Sequence, residues 1–467
     1  MSPAALLRPL GALWVLVAAL AVLTALTALA VGEAHLSGLF MATAGIAMVP
    51  GVLVLTATQG IRLGATALDA LGLALLSWIT APAMAALPFW LTGYFDPIDA
   101  LFEAYSAVTT TGATLLPAED LPRSLIFWRA ILAWLGGYFT LLLAIAVFAA
   151  LDREVPAIRR SPLLTIGQDN VFSHLMLTAR RVGTIYATIT AIVWIALLVV
   201  GTGLFDATVL AMASISTSGY SPADGGLVRS FGEIATLIVA AGCLAGSVNI
   251  ALFWDALRDR GVLKDPDLAG IGVLVAGLAV LYVIADPDNL PAHVLDALFV
   301  VTTSGYSVGG GLSPVPIAAV FVALIGGAAA STTGGVKVSR ILLLWRRMGS
   351  ELAILTDPSS IVPVTFRGRP APDRALIGIW AYVLGFVACL GIGAVLLALT
   401  GLDFETAFLA NAAALSNTGP LFNETHGQGG WRDITDAAKP LLISAMILGR
   451  LEVLAALAAI WALFIRN

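Results

Sequence analysis

Four short runs of hydroxyl side chains and glycine recur along the chain: TTTGAT (Thr109 to Thr114), STSGYS (Ser216 to Ser221), TTSGYS (Thr302 to Ser307) and SNTGPL (Ser416 to Leu421). Glycine permits backbone dihedrals that turn successive carbonyls toward one axis, and the neighbouring hydroxyls add oxygens at one end. Rings of such oxygens replace the hydration shell of a monovalent cation. The candidate ligand-bearing residues are Thr110, Thr111, Gly112 and Ala113; Thr217, Ser218, Gly219 and Tyr220; Thr303, Ser304, Gly305 and Tyr306; and Asn417, Thr418, Gly419 and Pro420. A single copy would be an ordinary turn or a small-residue helix contact. Four copies, each behind a short apolar segment, point to one shared site.

The elements that must position these runs are apolar. With 467 residues, 59% of them hydrophobic and 11% charged, and a mean hydropathy of +0.96, there is too little polar side chain to cover a soluble globule. The expected class is an all-α polytopic membrane protein. Runs near 10–31, 37–58, 65–92, 125–150, 182–203, 230–254, 268–285, 314–345, 375–400 and 438–465 reach the roughly 20 residues that cross about 30 Å of hydrocarbon. Segments near 98–110, 205–217, 291–303 and 404–417 are too short to span and read as re-entrant helices. The pattern of span, short helix, polar loop and span thus occurs four times, in units at 63–160, 161–262, 263–350 and 351–467 behind two extra helices at 1–62. Small-residue patches recur in the second span of each unit, at Gly136 and Gly137, Gly242, Gly326 and Gly327, and Gly449. The first run is longer than a signal-peptide core and is expected to be retained. Irregular backbone at membrane depth must be buried in protein or line a cavity, so four loops about a pseudo-fourfold axis would line one cavity together.

Basic residues orient the spans, because short cytoplasmic loops are enriched in them. With the N-terminus inside, Arg8, Arg62, Arg153, Arg159, Arg160, Arg180, Arg181, Arg258, Arg260, Lys264, Arg340, Arg346, Arg347, Arg367, Arg369, Arg374 and Arg466 fall on the cytoplasmic side, and both termini are cytoplasmic. Arg123, Arg229, Arg432 and Lys439 lie outside, where carboxylates such as Asp96, Glu103, Asp224 and Glu424 outnumber them. That excess either concentrates cations at a mouth or solubilises outer loops. Cys243 and Cys389 lie in apolar stretches and read as packing residues, and the scattered His35, His174, His293 and His426 have no ligand spacing.

The order of motifs resembles the pore-forming subunit of the Trk/Ktr/HKT potassium-transporter superfamily, in its ten-span bacterial Trk type. The motifs are ALPFWL (Ala86 to Leu91), DALFEAYSAVTTTGATLL (Asp99 to Leu116), WRAILAWLGG (Trp128 to Gly137), GGAAASTTGGVKVSR (Gly326 to Arg340) and LGRLEV (Leu448 to Val453). The resemblance implies K⁺ uptake through a four-loop filter in the bacterial inner membrane, with K⁺ as the transported ion and no bound cofactor. It also implies a homodimer in lipid, a cytosolic regulatory partner with nucleotide-binding domains, and no role for nucleic acid. Two departures stand out. The fourth loop has Asn417 and Pro420 where others have Thr and Tyr, and DALF occurs at 99–102 and 296–299 with unequal gaps to the glycine. The unequal gap predicts a third pore helix that is shorter or differently registered.

The interrupted run from Pro314 to Trp345 contains Gly326, Gly327, Ser331, Thr332, Thr333, Gly334 and Gly335. Such a run either packs helices closely or unwinds beside a cavity, and the resemblance favours a gate lying across the pore inside the filter. Lys337 and Arg450 are cations at membrane depth, which marks a cavity or a partner. Arg450 is either in an interhelical ion pair or faces the conduction path as an electrostatic barrier; Glu452 points to another helix face. A membrane-embedded enzyme lacks an HExxH, GxSxG or paired-carboxylate signature here. An inverted-repeat carrier would need oppositely oriented halves, whereas a Na⁺- or H⁺-coupled symporter of this same architecture stays open beside a channel.

Overall fold

The computed structural model describes residues 3–60, 67–151, 171–256, 264–311, 313–359, 362–426 and 430–451. Arg62, Arg153, Arg159, Arg160, Arg258, Arg260, Glu452 and Arg466 lie outside the described residues, as do the side chains of His174, Arg369, Glu424 and His426.

Helices α1 (Pro3–Ala30) and α2 (Ala34–Ala57) form a hairpin. Their axes come close at Gly11 and Gly51, where a Cβ on Gly11 would stand 3.0 Å from the Gly51 carbonyl oxygen, the small-residue contact that apolar helices use in lipid. The turn between them supplies Glu33, whose carboxylate oxygens accept from the amides of Arg123 (2.7 Å) and Ser124 (2.9 Å). These donors open the helix that starts at Arg123 and have no partner within it.

The first unit runs α3 (Ala67–Ala85), α4 (Leu87–Leu91), α5 (Pro97–Val108) and α6 (Arg123–Leu151). The second runs α7 (Val171–Val199), α8 (Leu204–Ile215), α9 (Leu227–Phe231), α10 (Glu233–Ser247) and α11 (Ile250–Ala256). The third runs α12 (Pro266–Ala285), α13 (Leu290–Val301), α14 (Pro316–Ile325) and α15 (Val338–Thr356). After a two-stranded hairpin, β1 (Thr365–Phe366) and β2 (Arg369–Pro370), the fourth runs α16 (Asp373–Ala398), α17 (Phe404–Leu415), α18 (Gly419–His426) and α19 (Lys439–Leu451). The chain is an all-α polytopic membrane protein apart from that hairpin.

Among the described residues, seven helices are long and apolar enough to cross a membrane, or eight if α10 and α11 count as one span. Of the ten expected spans, the run at 438–465 is described only as far as Leu451, and the run at 314–345 divides into α14, a loop and α15. Burial separates centre from rim: 78% of the spanning window of α6 is buried, against 22% for α7, α12 and α16, whose exposed apolar faces suit lipid. The short helices and α6 carry the core, where Trp128 donates to the Ala85 carbonyl at 3.0 Å and Phe102, Phe422 and Trp431 pack together.

The four short helices α5, α8, α13 and α17 have 12 residues each and end four residues before Gly112, Gly219, Gly305 and Gly419. The third is neither shorter nor differently registered, contrary to the reading from DALF. The recurrence of DALF is a coincidence between non-equivalent positions, because Glu103, not Asp99, stands at the level of Asp296. The run at 230–254, expected as a continuous span, bends by 96° between α10 and α11.

Candidate functional site

All four short helices end in the same turn. The C-cap residue is followed by one in the left-handed region: Thr110 (φ 52°), Thr217 (51°), Thr303 (55°) and Asn417 (52°). In the first turn Thr110 N–H donates to the Ala107 carbonyl (2.9 Å) and Thr111 N–H to that of Ser106 (2.8 Å). Thr217 and Ser218, Thr303 and Ser304, and Asn417 and Thr418 repeat both bonds at 2.9 to 3.1 Å. This is the Schellman arrangement, which usually places glycine at that position; a β-branched residue there is an outlier that persists only where its surroundings enforce it. Part of that enforcement is a pair of hydroxyls flanking each turn: Thr109 with Thr111 (2.7 Å), Ser216 with Ser218 (3.1 Å), Thr302 with Ser304 (3.1 Å) and Ser416 with Thr418 (3.2 Å). The outer hydroxyls of each run therefore brace the turn, and the middle residue is left to face other elements. Thr111, Ser218, Ser304 and Thr418, candidate oxygen donors by sequence, thus use their hydroxyls within the turn.

The turns close into a ring. A Cβ on Gly112 would overlap the Ser218 carbonyl, and one on Gly219 that of Ser304. The Tyr306 hydroxyl donates to the Tyr220 carbonyl at 2.8 Å, while the Ser106 and Tyr220 hydroxyls lie 3.3 Å apart. Gly305 faces Leu421, whose amide nitrogen would be 3.2 Å from a Cβ, and Gly419 N–H donates to the Thr111 carbonyl at 2.6 Å. The order is first, second, third, fourth and back to the first. The Ala113 carbonyl accepts from Ser106 (2.7 Å), so the outermost carbonyls of the first two turns meet neighbouring side chains.

The fourth loop departs from the others. Gly112, Gly219 and Gly305 have φ between 62° and 74°, whereas Gly419 is absent from the left-handed region and opens α18. Its carbonyl, expected to face the axis, accepts from Trp431 Nε1 at 2.8 Å. The Pro420 ring lies beside all three other glycines, its Cδ, Cγ and Cβ being 3.3, 2.8 and 3.1 Å from Cβ positions on Gly112, Gly219 and Gly305.

The helix-end side of the ring is covered by the segment from Gly326 to Lys337. This segment enters through the break in the second unit: Ala328 and Thr332 N–H donate to the Ser247 (2.9 Å) and Gly246 (3.0 Å) carbonyls, and Ile250 N–H donates to Ala330 (3.2 Å). Carbonyls freed at the end of α10 thus find donors within the protein, as membrane depth requires. The segment then meets the left-handed residues. Gly334 N–H donates to Thr303 Oγ1 (2.9 Å), the Thr332 and Thr217 hydroxyls lie 3.3 Å apart, and a Cβ on Gly334 would overlap the Ser416 carbonyl. Gly327 N–H is held by Thr333 Oγ1 at 3.2 Å, and the Ser331 and Thr333 hydroxyls are 2.7 Å apart. Lys337 donates to the Thr333 carbonyl and, at 3.1 Å, to its hydroxyl.

Arg450 joins this segment to the first turn. Its guanidinium donates to the Thr109 carbonyl and the Thr110 hydroxyl on one side, and to the Thr332 (2.6 Å) and Thr333 (3.2 Å) carbonyls on the other. Among the described residues no carboxylate pairs with it. It is buried, and α19 is seated by Gly449, where a Cβ would overlap the Leu415 carbonyl. A cavity of about 40 Å³ lies alongside, between Thr140, Ser331, Thr333, Lys337 and Arg450. The sequence reading puts Arg450 and the glycine-rich segment on the same side of the four loops; only the structure shows them bonded to each other.

Two carboxylates have places that the sequence does not reveal. Glu103, expected among outer-loop acids, is fully buried; it accepts from Leu115 N–H (2.7 Å) and pairs with Arg129 (2.9 Å). Asp296, nine residues before Gly305 as Glu103 is before Gly112, accepts from Val308 N–H at 2.8 Å. The detectable signal was an acid at the same distance from glycine in the first and third runs.

Fold and site together define an integral membrane protein in which four short helices end in the same turn and the turns close into one ring. The chain belongs to the TrkH family, described as cation transport protein, whose sequence model matches residues 68–264 and 289–462. It is 30% identical over 433 residues to the Trk system potassium uptake protein TrkH of Halomonas elongata, covering 89% of each chain. It is also 30% identical over 397 residues to the protein of that name from Escherichia coli K12, covering 81% of this chain and 82% of that one. The crystal structure of the potassium transporter TrkH from Vibrio parahaemolyticus superposes with a TM-score of 0.86 at 26% identity, over 98% of both chains.

Proposed function

We propose that this chain takes up K⁺ across a bacterial inner membrane through the axis of the four turns, with K⁺ as cargo and no resident cofactor. The observation that carries the reading is the fourfold recurrence of one strained turn, closed into a ring and covered from one side through its left-handed residues. The relatives named above are potassium uptake proteins, which supports K⁺ over other monovalent cations. In this reading the backbone around Gly112, Gly219 and Gly305, with Thr110, Thr217 and Thr303 at the inner end, replaces the ion's water, and the fourth loop contributes around Gly419. The segment from Gly326 to Gly335 with Lys337 and Arg450 is the gate, on the cytoplasmic side with both termini. Each of the four units at 63–160, 161–262, 263–350 and 351–467 contributes one quarter of the pore. Two copies assemble in lipid, and a cytosolic subunit with nucleotide-binding domains controls the gate.

The test is Gly305→Ser in purified protein reconstituted into liposomes. A side chain at φ 62° carries roughly 1–3 kcal/mol of strain, and relief by a shifted carbonyl should lower the K⁺ over Na⁺ flux ratio by about tenfold. Ratios equal to wild type would remove Gly305 from the filter.

A further inference from the structure

We infer that Pro420 closes the mouth of the pathway at the end opposite the gate segment, and that the fourth loop must withdraw before an ion can enter; the inference rests on the pore reading above. The loops follow one another around the ring, so the fourth has the first and third as neighbours and the second across the axis. Pro420 Cγ nevertheless comes within 2.8 Å of the Cβ position of Gly219, in the second loop, while Cδ and Cβ lie 3.3 and 3.1 Å from those of Gly112 and Gly305. A group that touches both neighbours and the opposite member of a four-membered ring occupies its axis.

Bonds of the residues just before the proline hold it there. Gly419 N–H donates to the Thr111 carbonyl (2.6 Å), the Gly419 carbonyl accepts from Trp431 Nε1 (2.8 Å), and Asn417 Nδ2 donates to Thr111 Oγ1 (2.9 Å) and the Met446 carbonyl (3.0 Å). Trp431 is itself wedged between Phe102 and Phe422. Proline suits this position because it has no N–H to satisfy and its fixed φ starts α18. An apolar ring at a constriction gives an ion no oxygen in exchange for water. Gly419 N–H also engages the Thr111 carbonyl, an oxygen the cation would use. Withdrawal of the fourth loop would therefore clear the axis and release that oxygen in one movement, so loop and ion compete for the same place.

A site obstructed by its own chain binds more weakly by the fraction of molecules in which it is clear. The experiment measures the K⁺ and Na⁺ concentrations that half-maximally raise the melting temperature of detergent-solubilised wild type, Pro420→Ala and Trp431→Phe. The readout is independent of the gate on the other side. Pro420→Ala should lower the half-maximal K⁺ concentration by about tenfold, and Trp431→Phe, which frees the Gly419 carbonyl and keeps an aromatic ring, should shift it the same way. Should Pro420→Ala fail to fold, the Trp431→Phe shift decides. Preferential K⁺ stabilisation at one unchanged concentration in the wild type and in every variant that folds would overturn the plug and leave the pore reading standing. Absence of any K⁺ preference in all three would overturn the pore reading and the plug with it.

Discussion

Threonine in a left-handed turn is the feature that repeats most faithfully here, and it needs support. Thr110, Thr217 and Thr303 each carry a conformation costing of order 1–3 kcal/mol, offset by hydroxyl pairs beside the turn and by packing that leaves them fully buried. The same logic applies to Glu103, which fixes the segment after the first turn through Leu115 while neutralising Arg129. Glu103→Gln leaves Arg129 buried without its counter-charge, a change that costs about 3–5 kcal/mol in comparable buried pairs. The melting temperature in detergent should fall clearly, whereas Glu103→Leu combined with Arg129→Met should recover most of the loss, since an apolar pair of similar volume is often neutral. A single mutant as stable as wild type would mean that the pair does not hold the turn.

The glycine-rich segment and the four turns meet as elements through few bonds. Arg450 grips the first turn and the glycine-rich segment with one guanidinium, and the Thr303 hydroxyl and the open end of α10 hold the rest. Arg450 had two readings from sequence, an ion pair or an electrostatic barrier. In the structure it is a bracket that spans the two elements. Arg450→Ala should therefore raise K⁺ flux several-fold in liposomes, and deleting residues between Gly326 and Gly335 should do the same. Neither change should alter the K⁺ over Na⁺ ratio, because the bonds that shape the turns remain. Unchanged flux in Arg450→Ala would assign the closing contact to the glycine-rich segment alone.

Across the whole molecule, the arginine-rich connection between the third and fourth units is less free than its charge suggested. Arg346 donates to the Thr365 carbonyl (2.6 Å) and covers Phe366, Arg347 pairs with Glu351 (2.6 Å) and Asp373 (3.6 Å), and Arg367 bridges Asp265 and Asp267 at 2.9 Å each. The β1–β2 hairpin, turning on Arg367 (φ 51°) and Gly368 (φ 74°), is thereby clamped to α15, which begins just after Lys337. Charge reversal at Arg346 should lower both the melting temperature and association with a cytosolic nucleotide-binding subunit. Reversal at Arg374, exposed at the start of α16, should weaken association alone, by electrostatic complementarity. A pull-down in which Arg374→Glu binds as wild type does would confine these charges to the positive-inside pattern.

Hydropathy and repetition by themselves determined the membrane class, the four short helices and the four glycine-centred turns, because apolar length and local backbone chemistry are properties of contiguous residues. The family resemblance was legible for the same reason, being carried by local motifs in order. The break at Ser247 was hidden, since the donors that satisfy the Gly246 and Ser247 carbonyls come from Ala328 and Thr332, some eighty residues later. Glu103 was misplaced among outer acids because Arg129, its partner, lies on the next helix. DALF misled because four identical letters carry no register unless packing aligns them. The place of Pro420 on the axis was equally invisible: a proline after glycine specifies a helix start, and only closure of the ring by three distant loops decides what its side chain obstructs.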